Sequence, residues 1–182
     1  QLTITFTSLA NTGGVIDAVG SNVLISGGST ITGGTLQSSS GGKVLLQGSS
    51  NLANVSNTGQ TEIANAQTGL LTGTFTNTGN LQLASSGSQT DLRLNGNVTL
   101  TGAGTVTMSN NVNNRILGHS GATTEVLTNG AGHTIQGAGQ LGANSMVLNN
   151  QGLIVANGSA GLVIDVSASG MTNSGTLRAG TG

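Results

Sequence analysis

Acid–base chemistry in this chain could rest on only a few side chains, because it has four basic and five acidic residues among 182. Asp17 and Glu62 follow two copies of a recurring turn motif by eight and seven residues, which would put them on one edge of a repeating structure. Two repeats of strands about 4.8 Å apart would separate their backbones by roughly 10 Å, about the limit for an inverting carboxylate pair. Asp91 and Asp165 share another position within the repeat, but they lie three repeats apart, which is too far for the two carboxylates to act as a catalytic pair. Solvated surface positions are the simpler interpretation of all four acids.

The basic residues are too scattered to complete an active site or to bind nucleic acid. They are Lys43, Arg93, Arg115 and Arg178. A nucleic-acid-binding surface needs Lys and Arg clustered against phosphates, and a polysaccharide lyase needs a base beside its acids. Arg93 lies two residues from Asp91 on a strand-like segment, where a weak surface ion pair is expected. The sequence therefore predicts that the chain is not an enzyme and binds no nucleic acid.

Metal and cofactor sites also find little support in the sequence. His119 and His133 are the only histidines, they occupy unrelated positions in the repeat, and the chain has no Cys. A tetrahedral metal site needs three or four converging ligands, so both histidines are expected in exposed turns. Residues 13–17 resemble part of the Gly-rich calcium-binding nonapeptide, but this pattern occurs only once in the chain instead of repeating. We expect no metal and no cofactor.

Threonine supplies the most regular set of exposed functional groups. Pairs of Thr flank the apolar residue of the motif in three copies, with Asn54 and Ser56 taking their place in one more. The pairs are Thr30 and Thr32, Thr74 and Thr76, and Thr99 and Thr101. Two flat Thr columns on a β-solenoid resemble the arrangement in some ice-binding proteins, which implies ice binding as an alternative function. The columns are interrupted in the remaining copies, and Thr is also a favourable residue of exposed strands.

These residues are positioned by a short motif that recurs along the chain. It consists of an apolar residue, a small polar residue, Asn or Gly, and a further Gly shortly afterwards, as in the run from Phe75 to Leu83. Eight copies start 20 to 27 residues apart, at Leu9, Ile31, Val55, Phe75, Leu100, Leu127, Leu148 and Met171. A period of about 20 to 25 residues without helix-forming segments is typical of a β-solenoid.

Two further apolar clusters recur within each repeat and predict three short strands per coil. Alternation such as Leu92-Arg93-Leu94 is typical of strands with one buried face. The predicted fold is all-β: a single-stranded right-handed parallel β-helix of about eight coils of 20–27 residues, with no helices. The right hand follows from the strong preference of strand crossovers. Residues 1–182 would form one β-helical domain, a rod roughly 40 Å long.

The third position of the motif is Asn in six copies and Gly in two. These residues are Asn11, Gly33, Asn57, Asn77, Gly102, Asn129, Asn150 and Asn173. Asn tolerates left-handed backbone and hydrogen-bonds its own turn, and stacked amides could also bond from coil to coil, as in cross-β structures. Both interpretations stay open at this stage, and in both the eight positions are structural and form one column.

The composition agrees with stacked coils. The chain has 32 Gly, no Pro, Trp or Tyr, and a formal net charge of −1. No apolar run approaches the roughly 20 residues of a membrane span, so membrane insertion is not expected. The start has no basic signal-peptide region, and neither terminus looks like a polar cap. We therefore expect a segment excised from a longer protein, with further repeats beyond it and a tendency to stack end to end.

The Asn-x-Gly-x-apolar turn resembles repeats of secreted bacterial exoproteins of the filamentous haemagglutinin kind and of autotransporter passengers. Residues 128–139 and 173–177 are the segments whose sequences are most similar to these repeats, although the coils are longer than the most regular haemagglutinin repeats. The resemblance implies a non-catalytic structural or adhesive shaft, extracellular or on the bacterial outer surface, with a host-surface receptor or glycan as partner. The alternatives are an ice-binding solenoid, a polysaccharide-degrading β-helix enzyme and a carbohydrate-binding module. The Pro-containing motif of the family's secretion domain is absent, so this segment would be shaft.

Overall fold

The computed structural model describes residues 1–181, and in that range every regular element is a β-strand. The strands form two parallel sheets, of nine and of fourteen strands, and the larger sheet is divided between two faces. The three faces are here called A, B and C, and the chain visits them in turn. Face A consists of β1 (Leu2–Thr5), β4 (Val23–Ser26), β7 (Val44–Leu46), β10 (Gln60–Ala64), β12 (Asn80–Ala84), β14 (Thr105–Met108), β17 (Thr134–Gly137), β20 (Leu153–Ala156) and β23 (Thr176–Ala179).

Faces B and C are joined through two long strands, β11 (Thr68–Asn77) and β13 (Thr90–Thr101), whose first halves belong to face B and second halves to face C. The other strands of face B are β2 (Ser8–Ala10), β5 (Thr30–Thr32), β8 (Ser50–Ala53), β15 (Asn114–Gly118), β18 (Gly139–Gly142) and β21 (Leu162–Ile164). The other strands of face C are β3 (Val15–Val19), β6 (Thr35–Ser39), β9 (Ser56–Asn57), β16 (Val126–Asn129), β19 (Val147–Asn150) and β22 (Met171–Asn173).

Each full turn of the chain contributes one strand to each face. Within residues 1–181 this gives eight coils and one additional strand, β23, on face A. The predicted all-β parallel solenoid of about eight coils with three strands per coil is therefore confirmed. Coil lengths vary more than expected: paired positions on face A are 17 residues apart between Val44 and Thr61, and 29 apart between Val106 and Ile135.

One apolar core runs the length of the solenoid. Inward side chains of successive coils stack in columns, for example Ile25, Leu46, Ile63 and Leu83 on face A, all of them fully buried. Phe75 is the one buried aromatic residue of the described chain. Each such aliphatic side chain contributes roughly 1.5–3 kcal/mol on burial, so a chain almost without aromatics still has a sufficient core.

The coils approach so closely at the corner between faces C and A that only glycine fits there. A Cβ on Gly79 would collide with the carbonyl oxygen of Gly59, and one on Gly175 with that of Gly152. At this corner a glycine follows the motif Asn by two residues in four copies. The Gly of the motif is therefore required by the distance between coils as well as by the turn.

The register of the first two coils differs from the sequence-based prediction. Leu9 and Ile31 lie on face B, where Ile31 pairs with Leu52, whereas Val55 precedes β9 on face C. Each coil has three similar strips of apolar residues separated by turns, so a shift by one face preserves the sequence pattern. The prediction that the motif positions form one column was therefore wrong. The expectation that Thr30 and Thr32 lie in the same columns as the other two Thr pairs was also wrong.

Two corners replace the single predicted column. Asn11 and Gly33 lie at the corner between faces B and C. The remaining motif positions lie at the corner between faces C and A, and they are Asn57, Asn77, Gly102, Asn129, Asn150 and Asn173. Thr30 and Thr32 belong to face B, while Thr74, Thr76, Thr99 and Thr101 belong to face C.

Candidate functional site

The corner between faces C and A contains a ladder of buried asparagine side chains. Asn57 Nδ2 donates to Asn77 Oδ1 at 2.9 Å, and Asn129 Nδ2 donates to Asn150 Oδ1 at 2.8 Å. Asn150 Nδ2 donates in turn to Asn173 Oδ1 at 2.7 Å. Every amide donates toward the C-terminal end, so these side chains bond from coil to coil in addition to shaping their own turns.

His133 closes the gap that Gly102 leaves in this ladder. Its Nε2 lies 3.2 Å from Asn77 Nδ2 and its Nδ1 lies 2.8 Å from Asn129 Oδ1, so the imidazole spans the coil that has no amide. Because the amide nitrogen can only donate, the network assigns the proton to Nδ1 and makes Nε2 the acceptor. His133 is therefore neutral and continues the direction of the ladder.

The expectation of an exposed turn histidine was wrong for His133, which has no exposed surface. Burial lowers the pKa of His133 from its ordinary value of 6.5 to about 4, because the imidazolium would lose its hydration. His119 is exposed, as expected. The sequence signal that could have identified His133 is Gly102, a ladder position without a side chain that another residue had to fill.

A second buried polar cluster lies on face B around Asp91. Arg93 donates to Asp91 Oδ2 through Nε at 3.1 Å and Nη2 at 2.8 Å. Arg115, from the next coil, donates to Oδ1 at 2.8 Å and to Oδ2 at 2.7 Å. Asp91 is only 3 % exposed, so the expected weak surface pair is in fact a buried carboxylate shared by two guanidinium groups.

The charges around Asp91 outweigh the effect of its burial. Burial raises the pKa of Asp91, but hydrogen bonds and positive charge from Arg115 and Arg93 hold it below its ordinary value of 3.8. The carboxylate is thus ionised and fully paired. A catalytic acid or base needs a proton that can be exchanged, and this arrangement instead ties two coils together.

The other acids do not converge on one site. Asp17 lies on β3 of face C and accepts a hydrogen bond from Gln37, whereas Glu62 lies on β10 of face A and pairs with Lys43 at 2.6 Å. The expected placement of Asp17 and Glu62 on one edge was therefore wrong, because the two first coils are shifted by one face. Among the described residues no three His, Cys, Asp or Glu side chains converge in a way that could hold a metal ion.

Face C carries two outward columns of uncharged polar side chains. The first runs through five consecutive coils, at Thr74, Thr99, Thr128, Asn149 and Thr172. The second runs through four, at Thr35, Ser56, Thr76 and Thr101. Hydroxyl groups bond along these columns, as between Thr101 and Thr76 at 3.3 Å.

The first column is longer than the sequence indicated. The motif alignment placed Leu100 beside Leu127, but β13 pairs Val98 with Leu127, two residues earlier. This shift brings Thr128 next to Thr99. Face C therefore presents hydroxyl and amide groups about 4.8 Å apart along the rod and about 6.6 Å apart along each strand.

Comparison of the chain with protein-family models, with curated proteins and with solved structures gives no match. The resemblance to haemagglutinin and autotransporter repeats therefore rests on the sequence motif, while the structure shows a parallel β-solenoid. Across residues 1–181 there is no helix with the length and apolar character needed to cross a bilayer.

Proposed function

We propose that this chain is a non-catalytic shaft segment of a secreted or surface-exposed bacterial repeat protein, and that face C is its contact surface. The observation that carries the proposal is one apolar core enclosed by three unbroken faces of parallel strands. The backbone hydrogen bonds between strands of successive coils point along the rod axis and make such a structure stiff in that direction. The buried amide ladder and the shared Asp91 carboxylate add cross-links between coils.

The chemistry of face C favours a neutral partner. Its two columns contain hydroxyl and amide groups and no charged residue, so they can donate and accept hydrogen bonds without attracting ions. A glycan without acidic groups, on a host surface or in a matrix, matches this pattern. An anionic polymer would need a cluster of Lys and Arg, and the two arginines of face B are already bound to Asp91.

Binding to immobilised neutral glycans tests this proposal. Thr99→Lys places a long charged side chain in the middle of face C and should abolish retention. Gln136→Lys makes the same charge change at an outward position of face A and should leave retention unchanged. Equal retention of the two variants, or no retention of the original chain on any neutral glycan, would count against face C as a contact surface.

The absence of catalysis is tested on the same glycans. Incubation of each polysaccharide with the protein should release no reducing ends and no unsaturated products. A polysaccharide-degrading enzyme would release one of them, and its activity would disappear with substitution of an acid. Retention on a glycan without release of product supports either the adhesive shaft or a carbohydrate-binding module. The stiffness of the rod distinguishes these two functions, because a shaft must be stiff.

The regular spacing of face C also favours a second candidate, ice binding. The column from Thr74 to Thr172 repeats at the strand spacing through five coils, so its polar groups are periodic along the rod. Thermal hysteresis that is present in the original chain and lost in Thr99→Lys would establish ice binding. A freezing behaviour equal to that of an unrelated soluble protein would exclude it.

A further inference from the structure

The chain contains three Asn–Gly sequences, at residues 95–96, 129–130 and 157–158. Asparagine is a chemically labile residue, and a following glycine favours its reaction because no side chain shields the glycine nitrogen. That nitrogen attacks the carbonyl carbon of the asparagine side chain, so the two atoms must be free to approach each other. The folded structure therefore decides which of the three sequences can react.

The first sequence, Asn95–Gly96, lies in a bulge at the corner between faces B and C. Pairing of β13 with the strands on both sides stops at Leu94 and resumes at Val98, so residues 95–97 belong to neither ladder. Both Asn95 and Gly96 are exposed to solvent. The peptide bond between them can thus change its conformation without disturbing the sheet.

The side chain of Asn95 and the space around Gly96 are both free. No hydrogen bond fixes the Asn95 side chain within residues 1–181, whereas Asn97 Oδ1 accepts from the backbone N–H of Val126 at 3.0 Å. A Cβ added to Gly96 would meet no atom within 4 Å beyond its chain neighbours. A ring that joins the side chain to the backbone therefore has room to form here.

The second sequence, Asn129–Gly130, is held at both reacting groups. Asn129 is fully buried in the amide ladder, where its side chain bonds to Asn150 Oδ1 and to His133 Nδ1, both at 2.8 Å. The backbone N–H of Gly130 donates to the carbonyl oxygen of Leu100 at 2.9 Å, and a Cβ on Gly130 would lie only 2.6 Å from that oxygen. Reaction at this sequence requires the corner to open.

The third sequence, Asn157–Gly158, lies in a loop that is held by a loop two coils earlier. Asn110 Nδ2 donates to Ser159 Oγ at 2.8 Å, and Asn110 Oδ1 accepts from the backbone N–H of Ala160 at 2.8 Å. A Cβ on Gly158 would lie 2.9 Å from Asn110 Oδ1. The loop is therefore restrained and crowded, unlike the bulge at Asn95.

We propose that Asn95 is a self-modification site, which converts to aspartate and isoaspartate in the folded chain while the other two sequences are protected. The backbone nitrogen of Gly96 forms a bond to Cγ of Asn95, its proton passes to the side-chain nitrogen, and ammonia leaves. Water then opens the resulting five-membered succinimide at one of its two carbonyl groups. Opening at one carbonyl gives aspartate, and opening at the other gives isoaspartate, in which the backbone continues through the former side chain.

The modification adds a negative charge to a chain whose formal net charge is −1. The new carboxylate lies at the corner from which β13 continues to Thr99 on face C. Isoaspartate also lengthens the backbone by one methylene group, which the bulge accommodates because its residues pair with neither neighbouring strand. The solenoid therefore stays folded and carries an additional charge beside face C. This site does not depend on what face C binds.

Ageing of the folded chain in mildly alkaline buffer at physiological temperature tests the proposal. Trypsin places Asn95 in residues 94–115 and the other two sequences in residues 116–178, and tandem mass spectrometry locates each conversion. Asn95 should convert at least about tenfold faster than Asn129, because a site closed by hydrogen bonds reacts only after local opening. Asn157 should also convert more slowly than Asn95. Labelling with a protein isoaspartate methyltransferase should mark residues 94–115.

The same incubation in urea is the control for the effect of the fold. All three sequences should then react at similar rates, since each is Asn followed by Gly in an unfolded chain. Equal rates for the three sequences in the folded chain would overturn the proposal. So would an Asn95 that stays intact in the folded chain while it reacts in urea.

Two glycine variants separate the reaction from backbone strain. Gly96→Ala places a side chain beside the attacking nitrogen and should slow conversion of Asn95 by at least about tenfold. Gly121→Ala is the matched control, because Gly96 and Gly121 have φ angles of +87° and +74° and both have open space for a Cβ. Gly121 follows Ser120, so this variant should leave the conversion of Asn95 unchanged. Equal rates for the two variants would overturn the assignment of the attacking nitrogen to Gly96.

Discussion

Acidification should destabilise the protein through His133, whose neutral imidazole is buried in the amide ladder. The neutral imidazole accepts from Asn77 and donates to Asn129. Protonation adds a hydrogen to Nε2, which then faces the amide hydrogens of Asn77 instead of accepting one of them. The folded state therefore resists protonation until the pH approaches the lowered pKa of about 4.

The size and sign of the effect follow from proton linkage. The folded pKa is about 4 and the ordinary value is 6.5, so the unfolded chain binds the proton first as pH falls. Stability is fully present above pH 6.5 and declines toward pH 4. Relative to pH 7, the free energy of unfolding should fall by about 2 kcal/mol at pH 5 and by about 3 kcal/mol at pH 3. Asp91 has a lowered pKa, so its contribution is lost only below its ordinary value of 3.8.

Urea denaturation at pH values from 7 to 4 measures this loss, and NMR titration of the His133 ring measures its pKa in the same samples. His133→Ala should be less stable at pH 7 and should show a much flatter stability profile between pH 6.5 and 4. His119→Gln removes the exposed histidine and should retain the profile of the original chain. A His133 pKa near 6.5, or equal profiles for the two variants, would refute the buried neutral imidazole.

Three substitutions test other parts of the structure by chemical denaturation. Asn77→Ala removes a fully buried amide from the ladder and leaves neighbouring polar atoms unpaired, which should cost about 3 kcal/mol. Gly79→Ala forces a Cβ against the Gly59 carbonyl and should cost at least about 2 kcal/mol. Arg115→Ala removes one of the two guanidinium groups from the buried Asp91 and should cost about 2–4 kcal/mol.

Each of these variants has a matched control in the same chain. Asn173→Ala changes the exposed end of the ladder, and Gly180→Ala adds a Cβ with only ordinary van der Waals contacts, so both should cost less than about 1 kcal/mol. Lys43→Ala breaks a half-exposed ion pair and should also cost less than about 1 kcal/mol. Equal costs for a variant and its control would contradict the contact that the pair tests.

The fold could be predicted from the sequence because the solenoid depends on local regularities. Aliphatic residues alternate with polar ones in short strands, and the Asn and Gly of each turn follow from corner geometry. The assignment of coils to faces could not be predicted, because the three strips of each coil look alike. Leu9 and Ile31 were therefore placed one face away from their position, and Leu100 was aligned two residues from its partner.

The polar clusters could not be predicted because their members are distant in sequence. His133 reaches Asn77 across 56 residues, and Arg115 reaches Asp91 across 24. Both contacts depend on the length of the intervening coils, which varies from coil to coil. The Thr pairs of face C were recognised, but the continuation of their column to Thr128 and Thr172 required the pairing of β13 with β16.

The central claim is that one rod is built from coils stacked in parallel, and a distance along it tests this most directly. Thr3 and Arg178 lie in the same outward column of face A, eight strand steps apart. Spin labels on cysteines at these positions, diluted with unlabelled protein, should give one narrow distance near 38 Å by pulsed electron paramagnetic resonance. A broad distribution, or a distance far from this value, would contradict a continuous solenoid.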